Sequence, residues 1–429
     1  MDELNFEEFE PANAEQWLQL VKKELGERSV DSLGWEVEEG ISIEPYYTEA
    51  PEDFSLEYNP DPEQFQLISH TNAKEWNRMA LDSLMGGTNA LGLDCAAFAP
   101  SDLPALLQGI EVAYISLSFV HMKDPSSWVE AFREWCAVKS IETAHLQGSF
   151  EYSKPTISQE EMKAWHALLR SSFPCFRIRT IDVAVVHESG GSIVQELAWA
   201  LAAGHSALAT LIEAGVATDE ASACVQFNFA TGSSYFPQIA KLRAFRWMWK
   251  RIVESYTPEH ACSVHTFVRA STSRYLQTAK DKHNNLLRST TQAMSAFIGG
   301  ANSVDICPYN AWSQLHDESA LRWARNIQQL MLEESYFGQH KTAADGSYAI
   351  ESLTGKFVET AWKEFQCLDS VPLDFERFSK DIASFAEKQQ QLVKEGKRVV
   401  VGVNRYVNKS DAAVVDGQAQ TLSAPFEKA

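Results

Sequence analysis

Eight short β-prone runs recur along the chain, each followed by a longer stretch with helical spacing, and this repeat restricts the fold more than any other feature. The runs fall at 65–69, 91–95, 112–118, 140–146, 181–187, 223–229, 262–268 and 303–307. Helical spacing of apolar residues fills 73–85, 101–109, 126–138, 158–171, 192–214, 236–255, 284–298 and 317–335. Ser101-Asp102 and Ser158-x-x-Glu161 stand ahead of two of these stripes as capping residues. Strands that alternate with helices, and are apolar enough to be covered on both faces, make a parallel sheet. Closing that sheet gives the predicted fold, an α/β (β/α)8 TIM-type barrel over 63–337. An open doubly wound sheet is the alternative; the lack of a GxGxxG turn after the first run counts against it.

Two flanks differ from the repeat. Residues 1–63 hold nineteen Asp/Glu against three Lys/Arg, most of the net charge of −21 carried by the 429-residue chain. Trp17, Trp35, Tyr46, Tyr47, Phe54 and Tyr58 make this lead too aromatic for a solvating tail. Residues 1–62 therefore read as an arm that packs on a surface, with Trp17, Trp35, Tyr46 and Tyr47 as the expected subunit-contact anchors. Residues 338–429 read as a C-terminal extension: amphipathic helices over 351–366 and 375–397, a closing strand over 397–407 and a frayed tail from 409.

The excess of acid disfavours binding to nucleic acid or an anionic membrane surface. No run of about 18 apolar residues is present, and the N-terminus lacks the pattern of a signal peptide. Seven scattered cysteines without a CxxC pair suggest reduced thiols and a cytoplasmic location. His260-x-Cys262-x-x-His265 is the nearest approach to a metal motif, but a strand there would send alternate side chains to opposite faces.

The stretch 187–204, HESGGSIVQELAWALAAG, resembles the methylmalonyl-CoA mutase family. Further segments carry the resemblance in order: FPQIAKLRAFRWMWKRI at 236–252, HNNLLRSTTQAMSAFIGG at 283–300, RWARNIQQLMLEES at 322–335, DGSYAIESLT at 345–354 and VVGVNRY at 400–406. Residues 17–48 are similar to the family's N-terminal arm. The resemblance implies an adenosylcobalamin-dependent isomerase, an intramolecular transferase interconverting methylmalonyl-CoA and succinyl-CoA in propionate metabolism. Its barrel would hold the thioester and a separate domain the cofactor.

Departures from the family pattern point to a silent chain. With Glu188 and Gly190 aligned, the family's barrel histidine falls on Val185, and His187 stands two residues later. The segment Phe267–Tyr275 replaces the family's Arg-Thr-His thioester motif, and SLEYNPDPEQFQLI at 55–68 replaces its Arg-Pro-Trp-Thr segment. The Asp-x-His-x-x-Gly cobalamin motif is absent, so no cobalamin-binding domain is expected. The pattern resembles the family's non-catalytic small chains. It implies no cofactor bound by this chain, adenosylcobalamin supplied through a large-subunit partner in a heterodimer, and no catalytic residue beyond the weak candidate His187. A substrate barrel of the isobutyryl-CoA mutase type, borrowing a cobalamin domain from another chain, is the alternative.

Three local readings complete the expectations. His187–Ser192 is a tight turn in which Ser192 caps a helix, in preference to a phosphate cradle. Lys241, Arg243, Arg246, Lys250 and Arg251, interleaved with Trp247 and Trp249, form the solvated or partner-facing side of a barrel helix. Bulky strand residues such as Leu91, Leu93, Tyr114, Ile141, Val183, Phe227, Phe229 and Ile306 should fill the axis and leave no coenzyme A tunnel. Ser116, Ser118, Thr143 and His145 are the polar exceptions.

Overall fold

The computed structural model describes residues 13–38, 40–47, 52–54, 61–122, 124–152, 158–313, 318–339, 343–408 and 421–427. Parallel strands form its centre: β1 (Glu63–Ile68), β2 (Ala90–Asp94), β3 (Ser116–Met122), β4 (Gln147–Tyr152), β5 (Phe176–Arg177 and Arg179–Asp182), β6 (Val225–Thr231), β7 (Phe267–Thr272) and β8 (Ser303–Asp305). Each pairs with the next in parallel register, and β8 returns to β1 through Ser303↔Glu63, Val304↔Gln64 and Asp305↔Phe65. Strand β5 is interrupted only at Ile178. Its first segment pairs with β4, its second with β6, and the Ile178 N–H donates to the Cys224 carbonyl at 3.0 Å. The ring therefore closes, and the (β/α)8 barrel expected from the repeat is the fold.

The outer helices run over Ala73–Met85, Leu103–Leu106, Pro125–Val138, Gln159–Ser172, Ile193–Glu213, Tyr235–Ser255, Asn284–Ile298 and Glu318–Gln329. Ser158 caps its helix reciprocally with Glu161, as the spacing predicts. Alternation in the strands turns Leu117, Phe119, Phe150, Phe227 and Phe229 outward, where they are at most 1% exposed. Phe227 lies 4.6 and 4.8 Å from the rings of Phe245 and Trp249. A Cβ at Gly204 would stand 2.7 Å from both Phe227 and Trp249, so glycine is what lets helix Ile193–Glu213 approach so closely.

Four strands sit elsewhere than expected. Residues 112–114 form a 3-10 turn ahead of β3, 140–146 form the loop before β4, 184–188 a helical turn after β5, and 261–264 a 3-10 turn before β7. Val112, Leu146, Val186 and Val264 of these stretches are buried, whereas Tyr114 and Val185 are exposed.

Both flanks pack on the barrel. Helix Tyr348–Asp369 lies against Ile193–Glu213 and Tyr235–Ser255, and helix Phe375–Lys394 stacks Phe378 on Trp199 at 5.3 Å. The expected closing strand over 397–407 is a turn with one bridge, Val401↔Arg405. Residues 421–427, expected to fray, dock: Leu422 N–H donates to the Tyr275 carbonyl at 2.8 Å, and Glu427 accepts the Ala279 and Lys280 N–H groups at 2.8 and 3.1 Å. Residues 409–420 and 428–429 lie outside the described residues. Among the described residues no helix is long and apolar enough to cross a membrane.

The arm divides in two. Helix Ala14–Leu25, capped by Asn13 and Gln16, buries no residue. The hairpin Trp35–Glu38/Ile41–Ile43 and the residues after it insert Ile41 (2% exposed) and Phe54 (4%) into the body. Phe54 meets Trp247 edge-on at 5.5 Å. Residues 55–60 of the segment that departs from the family pattern lie outside the described residues.

Candidate functional site

The barrel axis is crossed by polar side chains. From β7, Arg269 reaches the opposite wall, where Nη1 meets Glu151 Oε1 of β4 at 2.5 Å and Nη2 donates to Ser118 Oγ of β3 at 2.7 Å. Its guanidinium lies 3.8 Å over the ring of Phe65 from β1. Ser149 Oγ stands 2.8 Å from Ser118 Oγ and 2.9 Å from Glu151. Gln226 donates to Glu151 at 3.1 Å and to Thr180 at 2.8 Å, and Asn228 donates to the other Glu151 oxygen at 3.1 Å. Toward the strand starts, Arg177 covers the Phe267 ring at 3.6 Å and donates to Gln226 at 2.7 Å. Burial alone would raise the pKa of Glu151, but the Arg269 charge and the hydrogen bonds hold its carboxylate below the usual range.

This is a correction to the expected apolar fill. The axis is plugged, but by an ion pair and its satellites. Phe227 and Phe229 face the helices. Ile141, Thr143 and His145 lie in the loop before β4, and Tyr114, 85% exposed, precedes β3. Ser118 faces inward as the counterpart of Arg269.

Above the plug, the strand ends form an acidic mouth. Asp94 pairs with His121 at 3.2 Å, which lowers the pKa of the acid and raises that of the imidazole. Burial pushes Asp305 up to about 6 and the neighbouring Cys307 thiol to about 12. Arg274 stands within the field of Cys307, Glu188, Asp305 and Asp182. Carboxylates from β2, β5 and β8 thus share this mouth with His121 and Arg274.

The weak candidate His187 does not face this mouth. Ala184–Glu188 is helical, so two residues turn the side chain by about 200° rather than keeping it on one strand face. Val185, at the family's histidine position, is 37% exposed, whereas His187 is 8% exposed. Its Nδ1 is 3.0 Å from Glu196 and its Nε2 2.8 Å from Ser273 Oγ. Glu196 in turn binds Lys241 at 2.7 Å, and Lys241 donates to the Ala230 carbonyl at 2.6 Å. Both ring nitrogens are therefore engaged by side chains of the protein. Ser192 caps helix Ile193–Glu213 behind Gly190 at φ +88°, the tight turn that the spacing predicts. The first amides of that helix are taken by the arm's own Glu38.

Three residues of the basic run are buried, whereas Lys250 is half-buried and Arg251 exposed. Lys241 and Arg243 are at most 1% exposed and Arg246 8%. Arg243 pairs with Asp345 and Glu351, and Glu351 also accepts the Phe54 N–H at 3.1 Å. Arg246 donates to the carbonyls of Gly300 and Thr266 and to Asn302. Arg243 thus lies in an internal seam joining helix, extension and arm, Lys241 and Arg246 bond within the barrel, and the expected solvated side is confined to Lys250 and Arg251.

Of the expected anchors, Trp17 and Tyr46 meet at 5.1 Å, with Tyr46 56% exposed. Trp35 is 45% exposed, and the hydroxyl of the half-buried Tyr47 accepts the Glu44 N–H at 3.0 Å. His260 bonds to Asp219, and among the described residues no group of His, Cys, Asp and Glu is placed to hold a metal ion. Arg269, Glu151 and Arg177 escaped the sequence reading. Their signal was polar residues at alternate positions of FVRAST, QGSFEY and FRIRT.

The closed ring with a bridged axis defines an α/β barrel protein. The methylmalonyl-CoA mutase model matches residues 92–423, and the chain belongs to the methylmalonyl-CoA mutase family. A protein of Porphyromonas gingivalis named methylmalonyl-CoA mutase small subunit is 29% identical over 95% of this chain and 72% of its own length. The methylmalonyl-CoA mutase of Escherichia coli is 28% identical over 92% of this chain and 64% of its own. A small subunit from Propionibacterium freudenreichii subsp. shermanii is 36% identical over 47% of this chain and 32% of its own. Among solved structures, the aldolase QR15 covers 63% of this chain and 96% of its own at 14% identity, with a TM-score of 0.32.

Proposed function

We propose that this chain is the small, non-catalytic subunit of a heterodimeric methylmalonyl-CoA mutase, acting in the cytoplasm in propionate metabolism. Adenosylcobalamin and the interconversion of methylmalonyl-CoA and succinyl-CoA belong to the large-subunit partner, which this chain stabilises. The observation that carries the reading is the bridge of Arg269 to Glu151 and Ser118, which occupies the axis a thioester arm would need. The engagement of both His187 nitrogens and the names of the relatives support it.

The organisation proposed is an arm over 1–62, a barrel over 63–337 and an extension over 338–429. Trp17, Trp35, Tyr46 and Tyr47 are the proposed subunit contact, because helix Ala14–Leu25 presents an apolar stripe with nothing buried on it. A 12-residue helix gains little by itself in water, so a partner groove is the natural source of its stability. The test is copurification with a tagged large chain. Replacement of Trp17, Trp35, Tyr46 and Tyr47 together by alanine should abolish association and leave circular dichroism and melting of the body unchanged. Full-yield copurification of that variant would refute the contact.

A further inference from the structure

The arm, helix Tyr235–Ser255 and helix Tyr348–Asp369 together enclose a cavity of about 410 Å³, within the size range of clefts that hold a guest. Its walls are Glu52 and Phe54 of the arm, Trp247 of the first helix, and Glu351, Lys356 and Glu359 of the second. The cavity exists only while the arm is docked.

The wall combines an aromatic surface with unbalanced charge. Glu52 is exposed and makes no hydrogen bond or ion pair among the described residues. Glu351 shares the Arg243 guanidinium with Asp345, and Glu359 pairs with Lys363 at 2.7 Å. The Lys356 ammonium turns to the Ser42 carbonyl at 2.7 Å and to Glu44 at 3.6 Å. In the wall and its pairings, five carboxylates (Glu44, Glu52, Asp345, Glu351, Glu359) thus face three cations (Arg243, Lys356, Lys363). Arg251 lies over the Trp247 indole at 4.8 Å, but it pairs with Glu254 at 3.1 Å and does not line the cavity. The cavity therefore favours a positive guest. An aromatic ring beside carboxylates suits a planar guanidinium better than a compact, strongly hydrated ammonium.

This cavity is continuous with the proposed subunit contact. Lys356 ties its wall to the hairpin through Ser42 and Glu44, the Glu44 N–H donates to the Tyr47 hydroxyl at 3.0 Å, and Tyr46 lies against Trp17 at 5.1 Å. We propose that the cavity is a socket for an arginine side chain of the large subunit, an inference that rests on the reading of this chain as the small one. The aromatic anchors and the socket then share one face, and pairing of the guanidinium with Glu52 and Glu359 fixes how the two chains meet.

Calorimetry of the full chain with the large chain over a range of salt reads the charge pairing. The double variant Glu52→Gln/Glu359→Gln should bind about tenfold or more weakly at low salt, with a flatter salt dependence. Glu75→Gln, which removes an exposed carboxylate of helix Ala73–Met85, should bind as the wild type does. An arginine-selective dicarbonyl reagent identifies the guest. At least one large-chain arginine should be protected in the wild-type complex and regain reactivity when the double variant, at saturating concentration, takes the wild type's place. Unchanged affinity and salt slope in the double variant overturn the socket, as does a complex in which no large-chain arginine is protected; the small-subunit reading survives both. A wild-type chain that does not associate with the large chain at all removes that reading, and the socket with it.

Discussion

Arg269 and Glu151 decide what the barrel can hold. A buried ion pair gains little over a well-packed apolar pair, because desolvation offsets most of the attraction. Losing one partner is another matter. Glu151→Ala would leave the Arg269 guanidinium, 5% exposed, without its carboxylate. Chemical denaturation should then show a loss of about 3–5 kcal/mol, with Glu151→Leu/Arg269→Met recovering most of it. If the double variant is as unstable as the single one, the pair is not the source. These residues also explain what the sequence concealed. A search for apolar runs finds the outward face of each strand, but Ser149 and Glu151 lower the hydropathy of β4, so the apolar reading slid back into the loop at 140–146. The same pull drew the reading of β5 forward, through Val183, Val185 and Val186, into a helical turn. Fold class was legible because outward alternation suffices for it, whereas the plug depends on cross-barrel pairs that no local window contains.

Among the elements, helix Tyr235–Ser255 and the arm were the least legible. Five cations on one helix suggest a solvated face, yet Arg243 finds Asp345 and Glu351 roughly a hundred residues away. Burial of Arg243 was invisible without the extension that pairs with it. The same seam splits the arm into a docked half around Ile41 and Phe54 and a presented half around Trp17 and Trp35. Phe54→Ala should therefore destabilise the isolated chain by about 3–5 kcal/mol, a thermal shift that needs no partner. Trp17→Ala should leave that melting curve in place and weaken association with the large chain by about 2 kcal/mol or more, measured by calorimetry of the two chains. Equal effects of both substitutions on the isolated chain would mean that the arm is one element.

On the scale of the whole molecule, net charge and closure act in the same direction on a coenzyme A. The chain has a net charge of −21, most of it in the arm, its mouth carries carboxylates on β2, β5 and β8, and the axis below them is bridged. Calorimetric titration of the isolated chain with coenzyme A or methylmalonyl-CoA should give no saturable heat in the micromolar range. Electrostatic repulsion and steric closure predict different responses to the ligand's charge. High salt screens the first within a Debye length of about 3 Å at 1 M and leaves the second untouched. Pantetheine, which lacks the nucleotide phosphates, likewise escapes the repulsion but still needs the space that Arg269 fills. Failure of pantetheine and of coenzyme A in high salt would assign the exclusion to the plug. Binding of pantetheine that is lost when Ser118 is enlarged to Phe would place an open channel along the axis, and the reading of a closed, silent barrel would fall with it.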